Sequence, residues 1–354
     1  MAATDVPSQM HAVQLVQKGP ADKALQYNQI DVPKLKSPKD VLVQVKAVGV
    51  NPVEAKFRAG NLPFPVSLPA IIGGDYAGVV VQKGSQVTDF DIGDAVFGSL
   101  SFPLGPRGSY AEYVVVTIDK DAIAKKPDNL SYEEAAAAGI AVATAYTGLV
   151  KLGELPETGP SKVVVVGASG GVGTYAVQIA KTRGAEVIAI CSSRNIELVK
   201  GLGADHVIDY TIPNALEEFV KDNKETVDII FDAVGGDRYY YALRPLLKKS
   251  GKKGTYSTAV GPIEHIGARK LGIFELGKTM LFAGIPRMLF SANPYRVVLN
   301  LPWLEFAPKI QPLFANKSIK SVIPENQIFE LKDVAKAHEL VETHRTVGKI
   351  VLRV

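Results

Sequence analysis

The sequence predicts an α/β protein in two parts, a small turn-rich β domain followed by a doubly wound parallel sheet. Three observations carry that expectation. β-branched runs broken by turn signals fill the first 130 residues, and fully apolar strands alternate with helices from Lys162 onward. The chain has 354 residues, 47% hydrophobic and 21% charged, which is enough material for two cores.

In the first part, residues 41–48 alternate as a half-buried strand does, and 79–82 and 113–117 are further β-branched runs. Asn51-Pro52, Gly73-Gly74, Asp91-Ile92-Gly93-Asp94 and Gly105-Pro106-Arg107-Gly108 mark the turns between them. Near Ser131 the texture changes. Ser131-Tyr132-Glu133-Glu134 has the form of a capping box and opens an alanine-rich helical run over 135–145. Beyond it the pattern predicts strands at 162–166, 186–191, 206–209, 227–232 and 253–257, with helices at 171–183, 196–202, 215–221 and 239–247. A helix at 333–343 and a strand at 348–352 close the chain. The expected domains are 1–130, 131–300 and a terminal segment, 301–354.

Composition excludes several function classes. Forty Lys and Arg against thirty-six Asp and Glu leave +4, with no block of five or six like charges, so no nucleic acid is expected. The single cysteine, Cys191, excludes an internal disulfide and a cysteine-built zinc site. The first residues lack the pattern of a secretory signal or a transit peptide, which favours a cytoplasmic location. No apolar stretch reaches membrane-spanning length. The nearest, 271–292, is interrupted by Glu275, Lys278, Pro286 and Arg287. It is expected to be a partly buried helix or lid, with a membrane-surface helix as the alternative. His11, His206, His265, His338 and His344 fall in no catalytic pattern and are read as surface or core residues.

The strongest motif is Val163-Val164-Val165-Val166-Gly167-Ala168-Ser169-Gly170-Gly171-Val172-Gly173, a buried strand leading through glycines into a helix. Gly170 and Gly173 permit close approach of a pyrophosphate and tight helix-on-strand packing, and the helix N-terminus supplies unpaired N–H groups. Ala168 replaces the first glycine of the usual G-x-G-x-x-G pattern. A site for NADH places an acid at the end of the second strand, about 20 residues on. That strand ends here in Ser192-Ser193-Arg194, with hydroxyls and a guanidinium suited to a 2′-phosphate, so NADPH is the expected cofactor.

Several motifs in fixed order extend the reading. They are Gly49-Val50-Asn51-Pro52-Val53-Glu54, Gly73-Gly74-Asp75-Tyr76-Ala77-Gly78-Val79, Gly93-Asp94-Ala95-Val96-Phe97-Gly98, Gly108-Ser109-Tyr110-Ala111-Glu112-Tyr113, the glycine loop, Leu202-Gly203-Ala204-Asp205-His206-Val207-Ile208-Asp209-Tyr210 and Gly348-Lys349-Ile350-Val351-Leu352. Together they resemble the medium-chain dehydrogenase/reductase superfamily, in its zinc-independent quinone oxidoreductase (zeta-crystallin-like) branch, from about His11 to Val354. Residues 194–200 look most like the chloroplast-envelope quinone oxidoreductase homologues, with the reticulon-interacting oxidoreductases nearly as close.

The resemblance implies a GroES-like domain, a Rossmann domain, and a cofactor cleft at the carboxyl ends of the strands. By position, Asn51 and Thr144 would sit beside the nicotinamide and its ribose, and Lys349 would reach the same side from the C-terminal segment. Ser169, Gly170, Gly171 and Val172 would hold the pyrophosphate. Ser192, Ser193, Arg194 and Lys200 would hold the 2′-phosphate, Tyr210 would lie against the adenosine, and Val234 and Gly235 would line the groove. The zinc alcohol dehydrogenases carry Gly-His-Glu where this chain has Gly73-Gly74-Asp75, so the histidine ligand is missing. The tyrosine that often follows Arg-x-Gly is missing too, since Arg58-Ala59-Gly60 runs into Asn61-Leu62-Pro63-Phe64-Pro65.

Without a metal, hydride transfer needs an acceptor that is already electron-poor, such as a quinone or an α,β-unsaturated carbonyl. Asn51, the one candidate catalytic residue, or else the cofactor ribose hydroxyl, would donate a hydrogen bond to the carbonyl oxygen. The expected partners are that small-molecule acceptor and a second copy of the chain, with peripheral membrane contact as an alternative. The strand beginning at Lys253 is expected to form the dimer edge. The competing functions are an enoyl-thioester reductase and a non-catalytic NADPH- or RNA-binding protein. The basic stretch 248–253 is the only support for RNA binding.

Overall fold

The structure, a computed structural model, describes residues 6–62, 66–101, 104–105, 107–263, 270, 272–299, 301 and 303–354. Pro63, Phe64, Pro65, Pro106, His265, Arg269 and Leu271 therefore lie outside the described residues. The chain forms two compact units, Met1–Ala143 with Pro302–Val354, and Thr144–Leu301. The boundary falls later than expected. The helix Tyr132–Ala136, opened by Ser131 and Glu134 capping each other's N–H groups, stays with the first unit because Ala135 and Ala136 pack there without exposure.

The first unit is built on the long strand Asp40–Val50, whose inward side chains Val41, Val43, Val45 and Val48 are buried. It pairs antiparallel with Asp75–Lys83, with Tyr113–Thr117 and with the C-terminal strand Ile350–Arg353. In the last pairing Ile350 lies opposite Val50. That register brings Lys349 to Asn51, across almost the whole chain. A smaller sheet joins Gln9–Leu15 to Leu25–Asp31 and Ala70–Ile72.

The second unit carries six parallel strands. In space their order is His206–Asp209, Glu186–Cys191, Lys162–Val166, Ile229–Asp232, Thr255–Thr258 and Tyr295–Val297. Counted along the chain this is 3-2-1-4-5-6, the doubly wound arrangement, with its switch point between Lys162–Val166 and Ile229–Asp232. Val163, Val164, Val165 and Val166 are all fully buried, as a strand covered on both faces requires.

Two expectations need correction here. The strand Thr255–Thr258 is not the sheet edge, because Tyr295–Val297 pairs beyond it. Three residues with no alternation give too short a signal to read. The 271–292 region is also less buried than expected. It forms the helix Ile273–Thr279, a π-turn at Met280–Gly284 and the helix Ile285–Phe290. Phe274 is 90% exposed and Phe290 81%, since within one chain these side chains meet no core. Among the described residues no helix is long and apolar enough to cross a membrane.

Candidate functional site

The glycine loop occupies the carboxyl end of Lys162–Val166, at the switch point. Gly167 adopts φ +73°, a left-handed turn that glycine takes without strain. The N–H groups of Gly167 and Ala168 both bond to the Ile190 carbonyl at 3.1 Å, which pins the loop to the neighbouring strand. The helix Gly171–Thr182 then starts at Gly170 with no side chain capping it. Its first N–H groups, including those of Gly171 and Val172, have no partner within the helix and form its end of positive potential. A Cβ on Gly173 would stand 2.1 Å from the Gly167 carbonyl oxygen, so the close packing of loop on helix needs glycine there.

The neighbouring strand ends in the turn that carries Ser192, Ser193 and Arg194, all partly or fully exposed. Asn195 closes it, and its Nδ2 donates to Ser169 Oγ at 2.9 Å and to Ser192 Oγ at 3.4 Å. The turn itself carries no acid, but one stands beside it at the end of the next strand. Asp209, in register with Cys191 on the next strand, is buried. It accepts from the Thr211 hydroxyl at 2.6 Å and N–H at 2.9 Å, and from the hydroxyl and N–H of Ser193. These bonds, the Thr211 hydroxyl's first, hold its carboxyl below the usual range and absorb its charge. Ser193 is thus committed within the protein, while Ser169 and Ser192 receive hydrogen bonds and keep their own protons.

The other expected groove residues divide in the same way. The N–H groups of Val234 and Gly235 both donate to Asp232 Oδ1, at 2.8 and 2.9 Å, so what they offer a ligand is shape rather than hydrogen bonds. The Tyr256 hydroxyl holds the other Asp232 oxygen at 2.8 Å. Lys200 projects from the helix Ile196–Gly201 and pairs with Glu197 at 3.2 Å. Tyr210 is 43% exposed just after the strand His206–Asp209, so it is no core aromatic. Thr144 is buried in the helix Gly139–Tyr146.

In the first unit, Asn51 and Lys349 belong to a closed polar cluster. Lys349 Nζ donates to Asn51 Oδ1 at 2.6 Å and to the Val50 carbonyl at 3.1 Å, and lies 3.4 Å from Asp75. Asn51 Nδ2 donates to Asp75 Oδ2 at 2.9 Å and Glu54 Oε1 at 3.2 Å. Both amide protons are bonded within this cluster in the chain alone. Asp75 also accepts from the Ile140 N–H at 2.7 Å.

Glu54, fully buried, accepts from the N–H groups of Asn51 and Gly74 and from the Tyr110 hydroxyl at 2.9 Å. Burial, with Asp75 nearby, pushes its carboxyl up to about 7. Tyr110 also meets His338 Nε2 at 3.0 Å. Since its proton goes to Glu54, His338 donates to it, which fixes the Nε2–H tautomer. Burial, and then Arg58, lower the imidazole to about 3, so His338 is neutral. Glu54, Tyr110, His338, Asn195, Asp209 and Asp232 were not picked out from the sequence. Glu54, Tyr110, Asn195 and Asp209 lay within quoted stretches, but nothing there told which partner each would meet.

The residues do not fit a zinc ion. Gly74 has no side chain to ligate, and Lys349 places a cation beside Asp75. Cys191 lies in the other unit, its thiol pushed up to about 11 chiefly by burial. Among the described residues no group of three or more His, Cys, Asp or Glu could hold a metal. A nucleotide fits better, given the uncapped helix, the cradle at Gly173 and two serine protons with no acceptor among the described residues.

Comparison with known proteins agrees. Residues 37–128 match the family described as alcohol dehydrogenase GroES-like domain, and 202–352 the family described as zinc-binding dehydrogenase. The chain is 30% identical to the NAD(P)H oxidoreductase RTN4IP1, mitochondrial, of Mus musculus, over 100% of this chain and 92% of that protein. It is 32% identical to the chloroplastic NADPH-dependent alkenal/one oxidoreductase of Arabidopsis thaliana, over 99% and 81%. Among solved structures, the quinone oxidoreductase from Coxiella burnetii superposes with a TM-score of 0.78 at 30% identity, covering 98% of this chain and 99% of that one. With the ordered motifs, the doubly wound sheet and these full-length relatives, the chain belongs to the medium-chain dehydrogenase/reductase superfamily, in its zinc-independent quinone oxidoreductase branch.

Proposed function

We propose that the chain is a zinc-independent, NADPH-dependent oxidoreductase that delivers hydride to a quinone or an α,β-unsaturated carbonyl compound. The observation that carries the reading is the uncapped start of Gly171–Thr182, flanked by the unengaged protons of Ser169 and Ser192. Ser169, Gly170, Gly171 and Val172 would hold the pyrophosphate, and Ser192 and Arg194 the 2′-phosphate. Bound NADPH supplies the hydride, and the protein supplies binding and orientation. With no Lewis acid in the donor set, acceptors whose developing charge spreads onto a conjugated carbonyl oxygen are favoured. Relatives named for alkenal/one and quinone reduction support that substrate class.

The RNA-binding reading loses its one support. Lys248, Lys249 and Lys252 pair with Asp228, Glu225 and Glu154 at 2.7, 2.8 and 3.3 Å, so the basic stretch is largely neutralised within the chain. A homodimer in the cytosol remains part of the proposal. The exposed Phe274, Phe282, Leu289 and Phe290 beside the short edge strand Tyr295–Val297 favour a self-associated state, over contact with a membrane surface. Light scattering that gives a single-chain mass would remove the dimer.

The enzymatic test is turnover of NADPH and NADH against a panel of quinones, alkenals and a crotonyl thioester. A quinone or enone is expected to consume NADPH with at least about a tenfold preference over NADH, and Arg194→Ala is expected to lose about 1.5–3 kcal/mol of NADPH binding. Equal Michaelis constants for the two cofactors would overturn the assignment, and turnover of the thioester alone would move it to the enoyl-thioester class.

A further inference from the structure

We propose that Asn195 is a positioning residue that sets the hydrogen-bond polarity of Ser169 and Ser192, making both hydroxyls donors toward a phosphorylated dinucleotide. The proposal deepens the NADPH reading and rests on it.

Asn195 stands at the N-cap of the helix Ile196–Gly201, where asparagine ordinarily bonds back to a helix N–H. Here it makes no such bond. The residue is 8% exposed, and its side chain turns instead to the loops that follow two adjacent strands of the sheet. One amide nitrogen with two protons meets two hydroxyl oxygens, Ser169 at 2.9 Å and Ser192 at 3.4 Å.

A free serine hydroxyl rotates and serves equally as donor or acceptor. An amide N–H group can only donate, so each serine spends a lone pair on Asn195 and retains its proton. Among the described residues neither proton has an acceptor. Phosphate oxygens only accept, so two protons fixed in this way suit a pyrophosphate at Ser169 and a 2′-phosphate at Ser192. Ser193 supplies the contrast, because its hydroxyl is bonded to Asp209. A reversed Asn195 amide would present Oδ1, draw both serine protons to itself and predict the opposite result.

The test is a titration of NADPH and NADH into wild type, Asn195→Ala, Asn195→Asp, Ser169→Ala/Ser192→Ala and the corresponding triple variants, with kcat and KM measured alongside. Asn195→Ala is expected to raise the NADPH dissociation constant about 10-fold and that of NADH by less, with kcat little changed. Asn195→Asp, of the same shape but without the donor, is expected to lose more, and it carries the test where the alanine variant folds poorly. In the Ser169→Ala/Ser192→Ala background both substitutions should cost less than about twofold, since the groups they act through are gone. Equal losses in the two backgrounds would make Asn195 merely structural, and an aspartate variant that binds as tightly as wild type would refute the polarity argument. Wild-type protein that binds neither nucleotide would instead defeat the cofactor reading itself.

Discussion

The polar cluster of the first unit and the glycine loop of the second show two opposite uses of polar atoms. Around Asn51, the two amide protons, the Lys349 ammonium and the carboxylates of Glu54 and Asp75 are bonded to one another or to nearby backbone. Around Gly171, the helix start has no cap and two serine protons point at no acceptor among the described residues. The first network meets its own polar groups among the described residues, with only the His338 Nδ1 at its far end left without a partner. The second presents donors that no described residue engages, which water satisfies in the free protein and phosphate oxygens would take over in a complex.

The sharpest way to break this contrast is to open the closed cluster. Lys349→Met leaves Asp75 buried without its cation, and denaturant unfolding should show a loss of about 3–5 kcal/mol. A loss within about 0.5 kcal/mol, the range of an ordinary surface substitution, would mean that the cluster is not under electrostatic load.

A pH series sharpens it next. The Glu54 carboxyl is raised from its ordinary value of 4.5 to about 7, so the folded state binds that proton more tightly than the unfolded state. Its contribution is therefore fully present below pH 4.5 and is lost as pH rises through about 7. Glu54→Gln should gain on wild type across that window, by at most about 3 kcal/mol. The opposite slope from His338, whose folded value is depressed, is common to both proteins and cancels in the difference. A difference that stays constant with pH would refute the raised carboxyl.

The smallest effect concerns the open site. Gly173→Ala sets a Cβ 2.1 Å from the Gly167 carbonyl and should weaken NADPH binding about 30-fold, whereas Gly201→Ala, outside the loop and with nothing within 4 Å of its Cβ, should change it little. Similar losses for the two variants in calorimetric titration would show that the cradle is not shaped by that close approach.

Much of the second unit was legible because its rules are local. Apolar strands and amphipathic helices repeat with fixed periods, and Gly170, Gly171 and Gly173 follow a strand at a spacing that only a phosphate-binding turn requires. The strand Tyr295–Val297 escaped notice because it forms where a sheet offers pairing groups, whatever its own pattern. The acid at Asp209 escaped because it sits at the end of the neighbouring strand, not the one where an NADH site keeps it.

The sequence by itself determined the alternation of elements, the glycine turn and the lack of a cysteine or histidine set for zinc, since each depends on residue type at short spacing. Only the tertiary structure decided which polar groups are already satisfied. Lys349 meets Asn51 across 298 residues, His338 meets Tyr110 across 228, and Asn195 meets Ser169 across 26. A hydrogen bond depends on the placement of single atoms to within a few tenths of an ångström, and packing sets that placement. No periodicity in the chain records it.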